Sequence, residues 1–235
     1  MKLSKALFWV SFFAIAMGYL ESSVVVYLRA IFYPEGFSFP LAMMDNQIAI
    51  TEIFREAATL IMLLGIGIIA GRNSSEKFAW FLYSFAVWDI FYYVFLKLLL
   101  NWPESFMTWD ILFLIPVTWV GPVIAPVITS FTMIAFALVI LYVNQKNKTV
   151  RISMPEWMLL TGGSLILIVA FTWDYSRFML QHYSFSQIWT IPKTALHELA
   201  TKYIPVAFNW WLFLLGEVVI LLGIIQFWRR NNKAS

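Results

Sequence analysis

Apolar residues run along this chain in blocks of about twenty, separated by short polar stretches. A block of that length crosses the roughly 30 Å hydrocarbon core of a bilayer as a helix. The blocks predict six spans, at about 7–28, 47–70, 78–100, 120–143, 156–173 and 206–228. Polar positions inside them recur at helical spacing. Glu52, Arg55, Glu56 and Thr59 follow i, i+3, i+4, i+7 and so share one helix face. Asp89, Tyr92, Tyr93 and Lys97 do the same on the third span. On the first span Gly18 and Ser22 are four apart, a small-residue pair that lets a neighbouring helix come close. The "GGS" of Gly162–Ser164, inside the fifth span, reads as helix packing.

The fourth block, Asp110–Val143, is too long for one straight span, and Pro116, Gly121, Pro122 and Pro126 interrupt it. The reading is a short half-helix over Trp109–Val117, followed by the span. Backbone freed at such a break is tolerated at membrane depth only when it is buried in protein or lines a cavity. Trp119–Pro122 is therefore expected to border a pocket. The expected fold is an all-α integral membrane protein: a bundle of six transmembrane helices with a broken half-helix before span four, as one domain over residues 1–235. In the long connection before the last span, "KTALHELATKY" is expected to form a short interfacial helix, with His197 as an interfacial hydrogen-bonding residue.

Composition agrees with this pattern. Of 235 residues 61% are hydrophobic and 12% charged, with a mean hydropathy of +0.77. A soluble domain carries about 25% charged residues. Several tryptophans, among them Trp80, Trp102, Trp109 and Trp228, fall near predicted span ends, where amphipathic rings settle. Trp88, Trp210 and Trp211 lie deeper, as bundle packing or as the lining of an apolar pocket. The net charge of +3 does not suggest nucleic acid. Lys2 and Lys5 before an apolar run, with "AIA" at Ala14–Ala16, resemble a signal peptide. The run resumes through Leu28, which favours an uncleaved anchor.

Basic residues orient the spans. With both termini inside, the inner segments hold Lys2, Lys5, Arg72, Lys77, Lys146, Lys148, Arg151, Arg229, Arg230 and Lys233. The outer ones hold Arg29, Arg177, Lys193 and Lys202. This positive-inside pattern predicts a multi-pass protein of the cell inner membrane with cytoplasmic termini.

That orientation puts Glu21, Glu52, Arg55, Glu56, Lys97 and Asp110 in the outer half, with Asp89 and Glu217 near mid-depth. Ionisable residues in spans normally face the bundle interior or a watery cavity. Arg55 can act as a clasp to Glu52, Glu56 or Glu21. Six acids against Arg55 and Lys97 exceed what a clasp needs, and surplus buried carboxylates must be protonated, hydrated or hold a cation. The residues expected to carry acid–base chemistry are Glu21, Glu52, Arg55, Glu56 and Asp89. Those expected to bind a ligand are Tyr92, Tyr93, Lys97, Asp110 and Trp119. The leading function is a membrane-embedded enzyme acting on a lipid or lipid-like substrate. A small ion- or proton-coupled transporter and a structural or assembly subunit are the alternatives. The expected partners are the bilayer and a lipid-like ligand or cation.

Cofactor classes are narrowed by residue type. The chain has no cysteine, which excludes disulfides, thiolate metal sites and covalently attached haem. His182 and His197 both lie in the outer connection, so no span offers a histidine pair for b-type haem. The fourth residue after His197 is Thr201, so the zinc-protease motif is absent. No metal identity follows from the sequence.

Overall fold

The computed structural model describes residues 3–115, 117–146, 150–184, 187 and 198–232. His197, Pro116 and residues 193–197 of the expected interfacial helix lie outside them. Among the described residues six helices are long and apolar enough to cross a membrane. They are α1 (Leu3–Phe32), α2 (Asn46–Ala70), α3 (Ser74–Leu100), α4 (Ile124–Lys146), α5 (Met154–His182) and α6 (Trp210–Asn232). The protein is thus a polytopic membrane protein built as a helix bundle.

Local chemistry fixes the helix ends. Before α3 the Asn73 side chain accepts from the Glu76 N–H at 2.9 Å, which satisfies one of the unpaired first-turn donors. After α3 comes Asn101 at φ 52°, the left-handed conformation that asparagine tolerates better than most residues. Glu156 closes the start of α5 by accepting from the Ser153 N–H at 2.6 Å, and also takes two hydrogen bonds from Arg230 near the end of α6.

The helix α3 is the hub, packed against α1, α2 and α4, while α5 and α6 form a second tight pair. On α1 the buried positions Ala6, Val10, Ala14, Met17, Gly18 and Ser22 form one stripe. A side chain at Gly18 would lie 3.0 Å from the Trp88 carbonyl, and Ser22 Oγ donates to the Tyr92 carbonyl at 3.0 Å. The small-residue pair therefore seats α1 directly on the α3 backbone. Gly163 and Gly216 do the same for α5 and α6, because a Cβ on either would come within 3.0 Å of the other's carbonyl oxygen. Gly162 faces open space. We expect Gly216→Leu to lower the thermal midpoint in detergent, by an overpacking cost of about 1–3 kcal/mol. Gly162→Leu should leave it nearly unchanged.

The break before α4 is present, but it is not a half-helix. Trp109–Phe113 (β1) pairs antiparallel with Trp119–Pro122 (β2), Asp110 opposite Gly121. The run is rich in β-branched and aromatic residues, which suit a pleated surface, and pairing satisfies backbone groups that proline would leave unpaired in a helix. Two strands alone are marginal, and this hairpin is braced on several sides. The Val123 N–H donates to the Thr108 carbonyl and the Ile124 N–H to the Phe106 carbonyl. Gly121 lets Phe171 of α5 and Phe208 pack against the strand, where a Cβ would meet their rings at 3.1–3.3 Å. Pro126 sits in the first turn of α4, where its missing N–H costs no helix bond.

The end of the bundle that carries both ends of the chain is filled by Ala79, Trp80, Phe136, Ile140 and Phe227 among others. Nearer the hairpin a second cluster holds Ala14, Met17, Leu63, Val87 and Trp88. Above it, toward the connections α1–α2, α3–α4 and α5–α6, the packing opens into a cavity.

Candidate functional site

The cavity has a volume of about 460 Å³. Its walls come from the C-terminal part of α1, the start of α2 and the second half of α3, with strand β1 and Leu114 across the top. Glu21, Glu52, Arg55, Glu56, Asp89, Tyr92, Tyr93 and Asp110 all line it. The helical spacing on α2 and α3 thus brings most of the candidate residues to one space.

Two candidates are not there. Lys97 is on the right face by periodicity, but its ammonium donates to the carbonyls of Asn101 and Pro103 at 3.2 and 2.9 Å. It caps the end of α3, as a long cationic stem near a helix C-terminus readily does. Trp119 stacks on Phe171 and touches Phe113, turned away from the cavity. Thr118, beside it, does reach the wall. Of the hairpin it is therefore β1, rather than Trp119–Pro122, that borders the cavity. Glu217 is also elsewhere: it accepts from the hydroxyls of Thr129 and Thr132 at 2.7 and 2.8 Å, between α6 and α4.

Charges in the cavity fall into two paired groups and two carboxyls outside them. Arg55 donates from Nε to Glu52 at 2.9 Å and from Nη1 to Glu21 on α1, and Thr59 adds a hydrogen bond to Glu21 at 3.2 Å. This clasp ties α1 to α2, and Glu56 is not its partner. The second pair is Arg29 with Asp110, at 3.7 Å. Tyr93 donates to the other Asp110 oxygen at 3.2 Å. Glu56 and Asp89 remain. Glu56 accepts from the Leu114 N–H at 3.0 Å, which pins the hairpin to α2, and Asp89 accepts from Ser130 of α4 at 2.8 Å. Among the described residues neither makes an ion pair.

Asp110 lies on the hairpin, outside the six helices. Burial holds its carboxyl up at about 6, against the opposing influence of Arg29, the Ile111 N–H and the Tyr93 hydroxyl. An unfolded aspartate titrates near 3.9. The folded protein therefore binds the extra proton between those values. The stability this contributes is complete below about pH 4 and lost as pH rises through about 6. We expect the difference in thermal midpoint between the native protein and Asp110→Asn to shift against the native protein from pH 4.5 to pH 7. Equal shifts in both proteins would show that another group titrates.

Several wall residues escape the sequence reading. Arg29 counts there only as an outer charge. Tyr33, Phe37 and Tyr175 come from outside the polar stripes, and Tyr175 is hydrogen-bonded to Thr118. Trp88 both lines the cavity and packs on Phe85 and Phe113. Trp210 packs with Phe208 and Phe213, and Trp211 is 84% exposed. Asp174 in the C-terminal third of α5 accepts from the Tyr203 hydroxyl at 2.6 Å and from the Val206 N–H at 3.1 Å. It thereby holds the stretch that follows Ala200 and Thr201, which complete the wall.

No group of three or more His, Asp or Glu side chains among the described residues is arranged to hold a metal ion. The cavity offers instead carboxyls beside apolar and aromatic surface, which suits a molecule with a polar end and an apolar body. No protein family, curated protein or solved structure matches this chain.

Proposed function

We propose that this polytopic membrane protein is an enzyme acting on a lipid or lipid-like substrate held in the cavity. Glu56 and Asp89 exchange protons with the substrate, while Glu21, Arg55 and Glu52 fix the walls around it. One observation carries the reading: two buried carboxyls with neutral donors only line an apolar cavity that opens at one end of the bundle. A carboxyl so placed is suited to general acid–base work. The apolar packing beneath, from Ala14, Met17, Leu63 and Val87, favours one-sided chemistry over transport, which needs access from both ends. The excess of basic residues at the other end of the spans supports an inner-membrane setting with cytoplasmic termini and the cavity toward the outer leaflet.

The test compares lipid extracts from cells that overproduce the native protein, Glu56→Gln or Asp89→Asn, by mass spectrometry. The native protein is expected to deplete one lipid class and raise another, and the two variants to leave both unchanged. A lipid profile indifferent to the native protein would overturn the reading.

A further inference from the structure

Arg29 is an arginine with most of its bonding capacity unused. It sits in the last turn of α1 and is only 8% exposed. Its guanidinium carbon lies 3.8 Å from the Trp102 ring centre and 4.5 Å from that of Phe37. These rings come from two different connections, so the plane is held by stacking rather than by hydrogen bonds. The approach to Asp110, at 3.7 Å, is too long for a hydrogen bond. A guanidinium carries five N–H donors, and among the described residues Arg29 donates none of them to an acceptor. Buried donors left unmet are costly, yet this one is carried on the wall of a cavity.

Neighbouring donors point the same way. The Tyr33 hydroxyl accepts from the Ala42 N–H at 2.7 Å, which leaves its own O–H to give. The Tyr92 hydroxyl makes no hydrogen bond among the described residues, and both tyrosines lie within electrostatic reach of Arg29. Both line the cavity. One helical turn before Tyr92, the Trp88 indole N–H is buried without an acceptor. Donors without acceptors thus surround the upper cavity, whereas the carboxyls of Glu21 and Glu52 are already taken by Arg55.

We infer that Arg29, with Tyr33 and Tyr92, forms a binding subsite for the acidic headgroup of an amphiphile, a phosphate or carboxylate. The planar fork of arginine matches such oxygens, and stacking between two rings sets its orientation in advance. Arg29 lies eight positions after Glu21 on α1, about 12 Å of helix rise. A ligand anchored at Arg29 therefore extends its apolar body down past Trp88 toward the level of Glu56 and Asp89. This rests on the proposed function only in taking the cavity to be a ligand site.

The experiment uses the full chain in phosphatidylcholine nanodiscs and radiolabelled dodecyl phosphate. Saturable binding is expected, weakened at least tenfold by Arg29→Met and by an intermediate factor in Arg29→Lys, which keeps the charge but loses the fork. Should Arg29→Met fail to fold, Arg29→Lys and Tyr92→Phe carry the test. Competition by millimolar inorganic phosphate would identify the free anion as sufficient; its absence would assign recognition to the amphiphile as a whole. Unlabelled dodecyltrimethylammonium should not compete. Saturable binding that ignores both Arg29 variants, or that the cationic amphiphile displaces, overturns the acidic headgroup while leaving the cavity as a ligand site. No saturable binding of dodecyl phosphate overturns the subsite, while the lipid profile of cells overproducing the native protein tests the proposed function separately.

Discussion

Arg55→Met should cost the folded protein about 3 kcal/mol or slightly more, the lower part of the 3–5 kcal/mol typical of breaking a buried pair. The low end applies because the Arg55 side chain is 22% exposed. The loss arises less from the departed arginine than from what stays behind. Glu21 on α1 and Glu52 on α2 would face each other across the cavity with no cation between them, and Thr59 alone cannot satisfy Glu21. Removing those charges too, as Glu21→Gln, Glu52→Gln and Arg55→Met together, should restore most of the stability. The combination Glu52→Gln, Arg55→Met and Glu56→Gln should not, because it leaves Glu21 stranded and neutralises a carboxyl that Arg55 does not bond. Thermal midpoints in one detergent decide the matter. Equal recovery in the two triple variants would mean that the α1–α2 clasp is not what holds the arginine.

On the proposed function, the second large effect falls on turnover rather than on stability. Glu56→Gln keeps an oxygen to accept from the Leu114 N–H, and Asp89→Asn keeps one for Ser130. Each change should therefore leave the thermal midpoint close to native. Each removes a group able to take or give a proton, a role that contributes about 10²–10⁴-fold to a rate. We expect lipid conversion to fall by that order in either variant and the folded protein to persist. A variant with full conversion would remove that residue from the chemistry. Full conversion in both would leave the carboxyls as parts of the frame.

The outline of the bundle was legible because lipid imposes a length and a composition that few other constraints mimic. The faces were legible too, since one helix carries its polar residues at fixed rotation: Glu52 with Arg55, and Asp89 with Tyr92 and Tyr93, reach the same cavity for that reason alone. What spacing could not show is choice between helices. Spacing along α2 offers Arg55 a partner in Glu52, three residues before it, and only the seating of α1 on α3 at Gly18 brings Glu21 in as the other. The hairpin was hidden for a different reason. A short apolar run such as "ILFLIPVTWV" carries no periodicity that separates strand from helix. Arg29 was missed because its cage is assembled from Phe37 and Trp102, one a loop neighbour and the other past the far end of α3. Lys97 shows the converse: correct phase on the helix, yet close enough to the helix end that bare carbonyls claimed it first.

The contact of Gly163 with Gly216 has a consequence for how the chain is put together during synthesis. With α5 and α6 in near-backbone contact and Glu156 bonded to Arg230 at their far end, the last two spans have the surface needed to pair on their own once both are in the bilayer. The first four spans, with the hairpin between α3 and α4, already contain Glu21, Arg29, Arg55, Glu56, Asp89 and Asp110 before that pair is made. Tyr175, Ala200 and Thr201 arrive with it. The wall of the acidic chamber is thus incomplete on one side until the α5–α6 pair docks.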